Sequence, residues 1–91
     1  MQSAMQYCHL GRSGLRVSRF CLGTFNFGLA TGESDAHRIM DGALEAGINF
    51  FDTANHYPDF VHCGLSEQVI GRWFAAAPGR RERVVLATKL Y

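Results

Sequence analysis

What this chain has little of narrows its class before any motif does. The formal net charge is only +1, from nine Lys plus Arg against eight Asp plus Glu. Neither sign dominates, so the electrostatic footprint of a nucleic-acid or anionic-membrane partner is missing. No apolar run approaches the roughly 20 residues of a membrane-spanning helix. The first residues lack the apolar core of a secretory signal, and a cytoplasmic location is the default expectation. Cysteine is scarce and odd in number: Cys8, Cys21 and Cys63 have no metal-type spacing, which favours reduced thiols over a disulfide framework. The GxGxxG fingerprint of a Rossmann domain is absent too. The only basic cluster, Arg80, Arg81 and Arg83, reads as solvating a loop ahead of a strand.

What remains is alternating strand and helix. Met1 to Met5 carries no pattern and reads as a frayed terminus. Tyr7–Leu10 and Leu15–Ser18 flank Gly11-Arg12-Ser13-Gly14, a β-hairpin signal placed within residues 5–18. Arg19–Gly23 predicts a first barrel-type strand with Phe20, Cys21 and Leu22 as its buried run. From Ser34 to Ala46 the apolar residues Ala36, Ile39, Met40, Ala43 and Leu44 recur on one helical face. Ser34 is the expected N-cap, Gly47 the stop, and His37 and Arg38 fall on the solvent side. Ile48–Phe51 reads as a doubly buried parallel strand. Ser66 is the expected N-cap of a second helix whose apolar face is Val69, Ile70, Trp73, Phe74 and Ala77, closed by Pro78-Gly79. Trp73 and Met40 are core at this spacing. Val84–Lys89 completes a third strand.

Chemistry gathers where these strands turn polar. Asp52 follows Phe51, Tyr57 lies on the loop beyond it, and Lys89 ends the third strand. The carboxyl ends of parallel strands are where β/α proteins assemble their sites. Adjacent strands would set Asp52 beside Lys89, with Tyr57 between them. An ammonium near a phenol favours phenolate, and a carboxylate keeps that ammonium charged and in place. His56, His62 and Cys63 do not make a metal site, because a structural zinc wants four convergent ligands.

The run Gly47-Ile48-Asn49-Phe50-Phe51-Asp52-Thr53-Ala54-Asn55-His56-Tyr57 resembles the aldo-keto reductases. So do Gly64-Leu65-Ser66-Glu67 with Ile70-Gly71, and Ala87-Thr88-Lys89. Leu10 to Ser18 and Leu22-Gly23-Thr24 look like the family's opening. The resemblance implies an α/β fold, the N-terminal part of a TIM (β/α)8 barrel, with the hairpin plugging the barrel bottom. It covers residues 7 to 91. A barrel needs eight units and about 250 residues, whereas 91 residues supply roughly three. The expectation is therefore a 1–91 incomplete barrel, residues 19–91 contributing its first three strands and two helices, from a larger enzyme.

By the same resemblance, Tyr57 donates a proton to a carbonyl oxygen, Lys89 tunes it and Asp52 anchors Lys89. Gly23, Thr24 and Phe25, together with Asp52, are implied to lie against the nicotinamide end of NADPH. The implied substrate is a small carbonyl compound. The runs Leu22–Gly28 and Gly71–Phe74 look like bacterial members acting on nucleotide-linked deoxyhexoses, NDP-hexose 2,3-enoyl reductases among them. A catalytic histidine and the adenine and 2′-phosphate grips belong to later strands of the family. Relatives often follow the tyrosine with glycine, but Pro58 stands here and biases Tyr57 toward extended backbone. Two other classes stay open: a non-catalytic fragment that forms a homo-oligomer through open sheet edges, and a binding or regulatory module.

Overall fold

A computed structural model of the chain describes residues 5–59 and 61–89. Most of the terminus expected to fray, residues 1–4, lies outside the described residues, as do positions 90 and 91. The hairpin consists of β1 (Tyr7–His9) and β2 (Arg16–Ser18), antiparallel with Tyr7 opposite Ser18 and His9 opposite Arg16. It is fastened to the residues just before the next strand pair. Asn49 Oδ1 accepts from the Ser18 amide at 2.7 Å, Asn49 Nδ2 donates to the Arg16 carbonyl at 2.9 Å, and the Tyr7 hydroxyl donates to the Gly47 carbonyl at 2.7 Å.

A parallel sheet in the order β3-β4-β5 forms the centre, from β3 (Leu22–Gly23), β4 (Phe50–Asp52) and β5 (Val85–Ala87). Leu22, Phe51 and Leu86 lie in register, and so do Gly23, Asp52 and Ala87. Since side chains alternate along a strand, the first set faces the helices and the second the opposite side. The hairpin binds at the amino end of β4, so it is remote from Asp52.

Helices α1 (Glu33–Glu45) and α2 (Leu65–Ala76) cover one side of the sheet. Ala36, Met40 and Ala43 of α1 and Val69, Ile70 and Trp73 of α2 close a core around Phe51. The Phe51 and Trp73 rings sit 5.7 Å apart, centroid to centroid. An aromatic of this kind removes about 150 to 250 Å² from water, which stabilises by roughly 4 to 6 kcal/mol as an upper bound. Gly47 ends α1 with φ +93°, and a Cβ there would lie 2.9 Å from Met5 Cβ and from the Tyr7 hydroxyl. No helix among the described residues is long and apolar enough to cross a membrane.

Several sequence expectations are corrected. Phe20 is 68% exposed and Cys21 is exposed, because the first strand is only Leu22–Gly23 and, among the described residues, it pairs with β4 alone. Ile39 is 43% exposed, on the flank of α1 away from α2. Neither helix is capped by its expected serine. Gly32 and Gly64 occupy the N-cap positions without side-chain hydrogen bonds, and Ser34 and Ser66 lie inside the first turns. His37 is not a solvent residue: its Nε2 lies 3.0 Å from the Val69 carbonyl, linking α1 to α2. Arg80 is not mere solvation either. Its guanidinium sits 4.7 Å from the Trp73 ring centroid and donates to the Trp73 carbonyl and to Asp41, pinning the end of α2.

Candidate active site

Asp52 closes β4, and Lys89 lies two residues beyond β5, its parallel neighbour. Asp52, Ala87 and Lys89 therefore point to the side of the sheet away from the helices. The Lys89 ammonium donates to both Asp52 carboxylate oxygens, at 2.9 and 3.1 Å. It also sits 4.9 Å from the centroid of the Tyr57 ring. Both charged side chains remain about 40% exposed. The Lys89 pKa is held above the ordinary lysine range, first by side-chain hydrogen bonding with Tyr57 and then by the Asp52 carboxylate. The cation is thus present throughout the neutral range.

The loop that carries Tyr57 is fixed by backbone contacts. The Thr53 amide donates to the Ala87 carbonyl at 2.8 Å and the Asn55 amide to the Lys89 carbonyl at 3.1 Å, tying the loop to the end of β5. His56 meets the Tyr57 ring edge-on at 4.9 Å, and Phe25 does so at 6.3 Å. The Tyr57–Pro58 peptide is cis. Further along, Asp59 Oδ1 accepts from the Val61 and His62 amides and from the His62 ring. These bonds, the His62 amide foremost, hold the Asp59 carboxyl below its ordinary value.

The residues implied to meet a cofactor divide into two groups. Phe25 is exposed beside Tyr57, and a Cβ at Gly23 would meet nothing within 4 Å, so there is room above the strand end. Thr24 is different. It is fully buried, and its hydroxyl donates to the Asp52 backbone carbonyl at 2.8 Å, leaving no hydroxyl proton for a ligand. The open strand end at Gly23 and Phe25 is the room that the described residues offer a planar ring, while the Lys89 ammonium is engaged by Asp52.

Other groups stay outside the chemistry. Among the described residues Cys8, Cys21 and Cys63 form no disulfide. The Cys21 thiol is pushed up by partial desolvation and then by the Asp52 charge, with Lys89 opposing, so it stays protonated near neutral pH. Among the described residues, no three His, Cys, Asp or Glu side chains gather as metal ligands. Sequence reasoning did not single out Ser66 as anything but a cap. It is in fact fully buried, with its hydroxyl donating to the Phe27 carbonyl at 2.8 Å. Gly28 next to it has φ +97°, and a Cβ there would lie 2.9 Å from Leu65 Cβ, so the loop after β3 packs directly on the start of α2.

Comparison with known proteins shows the family and its fold. Residues 19–91 match the Aldo/keto reductase family. The chain is 62% identical over 87 residues to the uncharacterized oxidoreductase YrpG of Bacillus subtilis (strain 168), covering 96% of this chain and 27% of that protein. It is 38% identical over 84 residues to an uncharacterized 11.2 kDa protein in the crtE 3′ region of Pseudescherichia vulneris, covering 89% and 82%. Among solved structures, the holo form of aldo-keto reductase AKR11C1 from Bacillus halodurans superposes with a TM-score of 0.74 at 43% identity, covering 92% of this chain and 25% of that one. The chain thus spans about a quarter of the length of YrpG and AKR11C1. A parallel β/α sheet with its hairpin, matched across most of its length to these proteins, places this chain in the aldo/keto reductase family as the N-terminal part of its barrel.

Proposed function

We propose that this chain carries the proton-donating part of an NADPH-dependent carbonyl reductase. The observation that supports it is the Lys89 ammonium, bound by both Asp52 oxygens and set 4.9 Å from the Tyr57 ring. As charge develops on a carbonyl oxygen, the Tyr57 hydroxyl transfers its proton to it. Lys89 stabilises the phenolate left behind, and Asp52 holds the ammonium still while keeping it charged. Reduced nicotinamide, when bound beside Gly23 and Phe25, supplies hydride to the carbonyl carbon. The substrate class is an aldehyde, a ketone or a sugar-derived carbonyl, with a nucleotide-linked deoxysugar as the narrower assignment. We assign the reaction to the cytoplasm, because three cysteines, an odd number without metal-type spacing, favour reduced thiols over a disulfide framework.

A second reading has its own observation. Among the described residues β3 and β5 each have a single strand neighbour, and open edges invite pairing. On that reading the 91-residue chain is a non-catalytic oligomer. A chimera separates the two: residues 19–91 replace the matching segment of the Bacillus halodurans enzyme, and NADPH-dependent aldehyde reduction is followed. Activity that falls by about 10² in Tyr57→Phe supports the acid reading. A Tyr57→Phe chimera as active as its parent would end it. A discrete oligomer of the 91-residue chain on sizing would favour the second reading.

A further inference from the structure

Behind the Asp52, Lys89 and Tyr57 side chains runs a second connection between the same residues, made of buried groups. The Ser66 amide donates to the Tyr57 carbonyl at 3.3 Å, and the Ser66 hydroxyl donates to the Phe27 carbonyl at 2.8 Å. The Phe27 amide donates to the Thr24 carbonyl at 3.0 Å. The Thr24 amide and hydroxyl then both donate to the Asp52 carbonyl, at 3.1 and 2.8 Å. In front, Lys89 joins Asp52 to Tyr57, so the connection closes on itself. Ser66 and Thr24 are both 0% exposed. A buried hydroxyl needs a partner, yet any nearby carbonyl would satisfy it. These two instead bridge the loop after β3 to α2 and to the end of β4.

We infer that Thr24 and Ser66 are positioning residues, which set the Tyr57 phenol against the Lys89 ammonium through one hydrogen-bonded chain by way of Phe27. The inference deepens the acid-site reading and rests on it. Tyr57 stands on a loop with no strand of its own, so its aim depends on what holds that loop. Sub-ångström placement matters there, because a displacement of about 1 Å at a reacting group lowers turnover by about 10². Thr24 thereby takes a role other than contact with a cofactor, since its hydroxyl is spent on Asp52.

The test needs no turnover. In the chimera, the NMR ring-current displacement of the isotopically labelled Lys89 ε-methylene by the Tyr57 ring reports their contact, with Tyr57→Leu as its zero. Thr24→Val, which keeps the shape and loses the hydroxyl, and Ser66→Ala are each expected to remove most of that displacement. Thr24→Ser is expected to restore it. Because the links act in series, the double variant should lose no more than either single one. Val69→Ala opens the core without touching any link and should lower the urea midpoint while leaving the displacement in place. Full displacement in folded Thr24→Val or Ser66→Ala would overturn the inference, and so would equal loss in Val69→Ala, which would mean that the signal follows stability alone. In the chimera, Ser66→Ala should lower kcat about tenfold with the carbonyl KM unchanged. An unaltered displacement sinks the positioning chain and leaves the acid reading intact. An inert Tyr57→Phe substitution sinks the acid reading and leaves the chain as architecture.

Discussion

On the helix side of the sheet, Trp73, Phe51 and Met40 are fully buried in an apolar cluster, with the Trp73 indole N–H donating to Asp41 at 2.8 Å. At the carboxyl ends of the same strands, Asp52, Tyr57 and Lys89 remain half-exposed and are held by charge and hydrogen bonds. The two regions share β4, where Phe51 faces one way and Asp52 the other. Burial gives the first region its free energy, since apolar area removed from water is non-directional and additive over many contacts. Direction governs the second, where an exposed ion pair adds little stability but fixes which atom faces which. Substitutions in the core should therefore change unfolding, and substitutions at the strand ends should change chemistry.

The largest test of that division is Trp73→Ala, expected to destabilise by about 3 to 5 kcal/mol through the cavity it leaves, read by urea unfolding. A loss below 1 kcal/mol would erase the contrast. Next comes Tyr57→Phe, expected to lower chimera turnover by about 10² while unfolding shifts by no more than about 1 kcal/mol. A variant that unfolds as Trp73→Ala does would make Tyr57 a core residue.

Asp52→Asn is expected to move unfolding by less than about 1 kcal/mol, because both partners of the pair are about 40% exposed. Its main effect lies in titration. Lys89 is raised first by Tyr57 and second by Asp52, so the variant should bring its pKa partway back toward 10.5, read by NMR titration. A raised folded pKa contributes stability that is fully present below 10.5 and fades as pH climbs through the folded value. An unmoved Lys89 titration would remove Asp52 as its anchor. The smallest expected effect is at Asp59. Its pKa is depressed from 3.8, so its contribution holds above that value and disappears as pH falls through the folded one. Asp59→Asn should flatten that acid limb alone; an unchanged acid limb would mean that the loop gains nothing from the carboxylate.

Much of this was legible along the chain. The Ala36, Met40 and Ala43 stripe and the Val69, Ile70 and Trp73 stripe repeat at helical spacing, and both stripes are buried. The strand ends at Asp52 and Lys89 were visible as a switch from apolar to charged residues, and the parallel pairing of β4 with β5 brings the two together. Local rules misled where a polar residue had a distant partner. Ser66 has the spacing of a cap, but its hydroxyl bonds to a carbonyl 39 positions away. His37 has the spacing of a solvent face, but it meets Val69, 32 positions away. Arg80 looked like loop solvation until the fold set it on Trp73.

The sequence by itself determined which segments bury apolar area and in what order the acid, phenol and cation follow one another, because periodicity and the polar ends of strands are local properties. Only the tertiary structure decided that Thr24 and Ser66 turn inward to join Asp52 to Tyr57. A hydroxyl has no periodicity to show, and the carbonyl it bonds is chosen by which loops the packed helices and sheet bring within 3 Å.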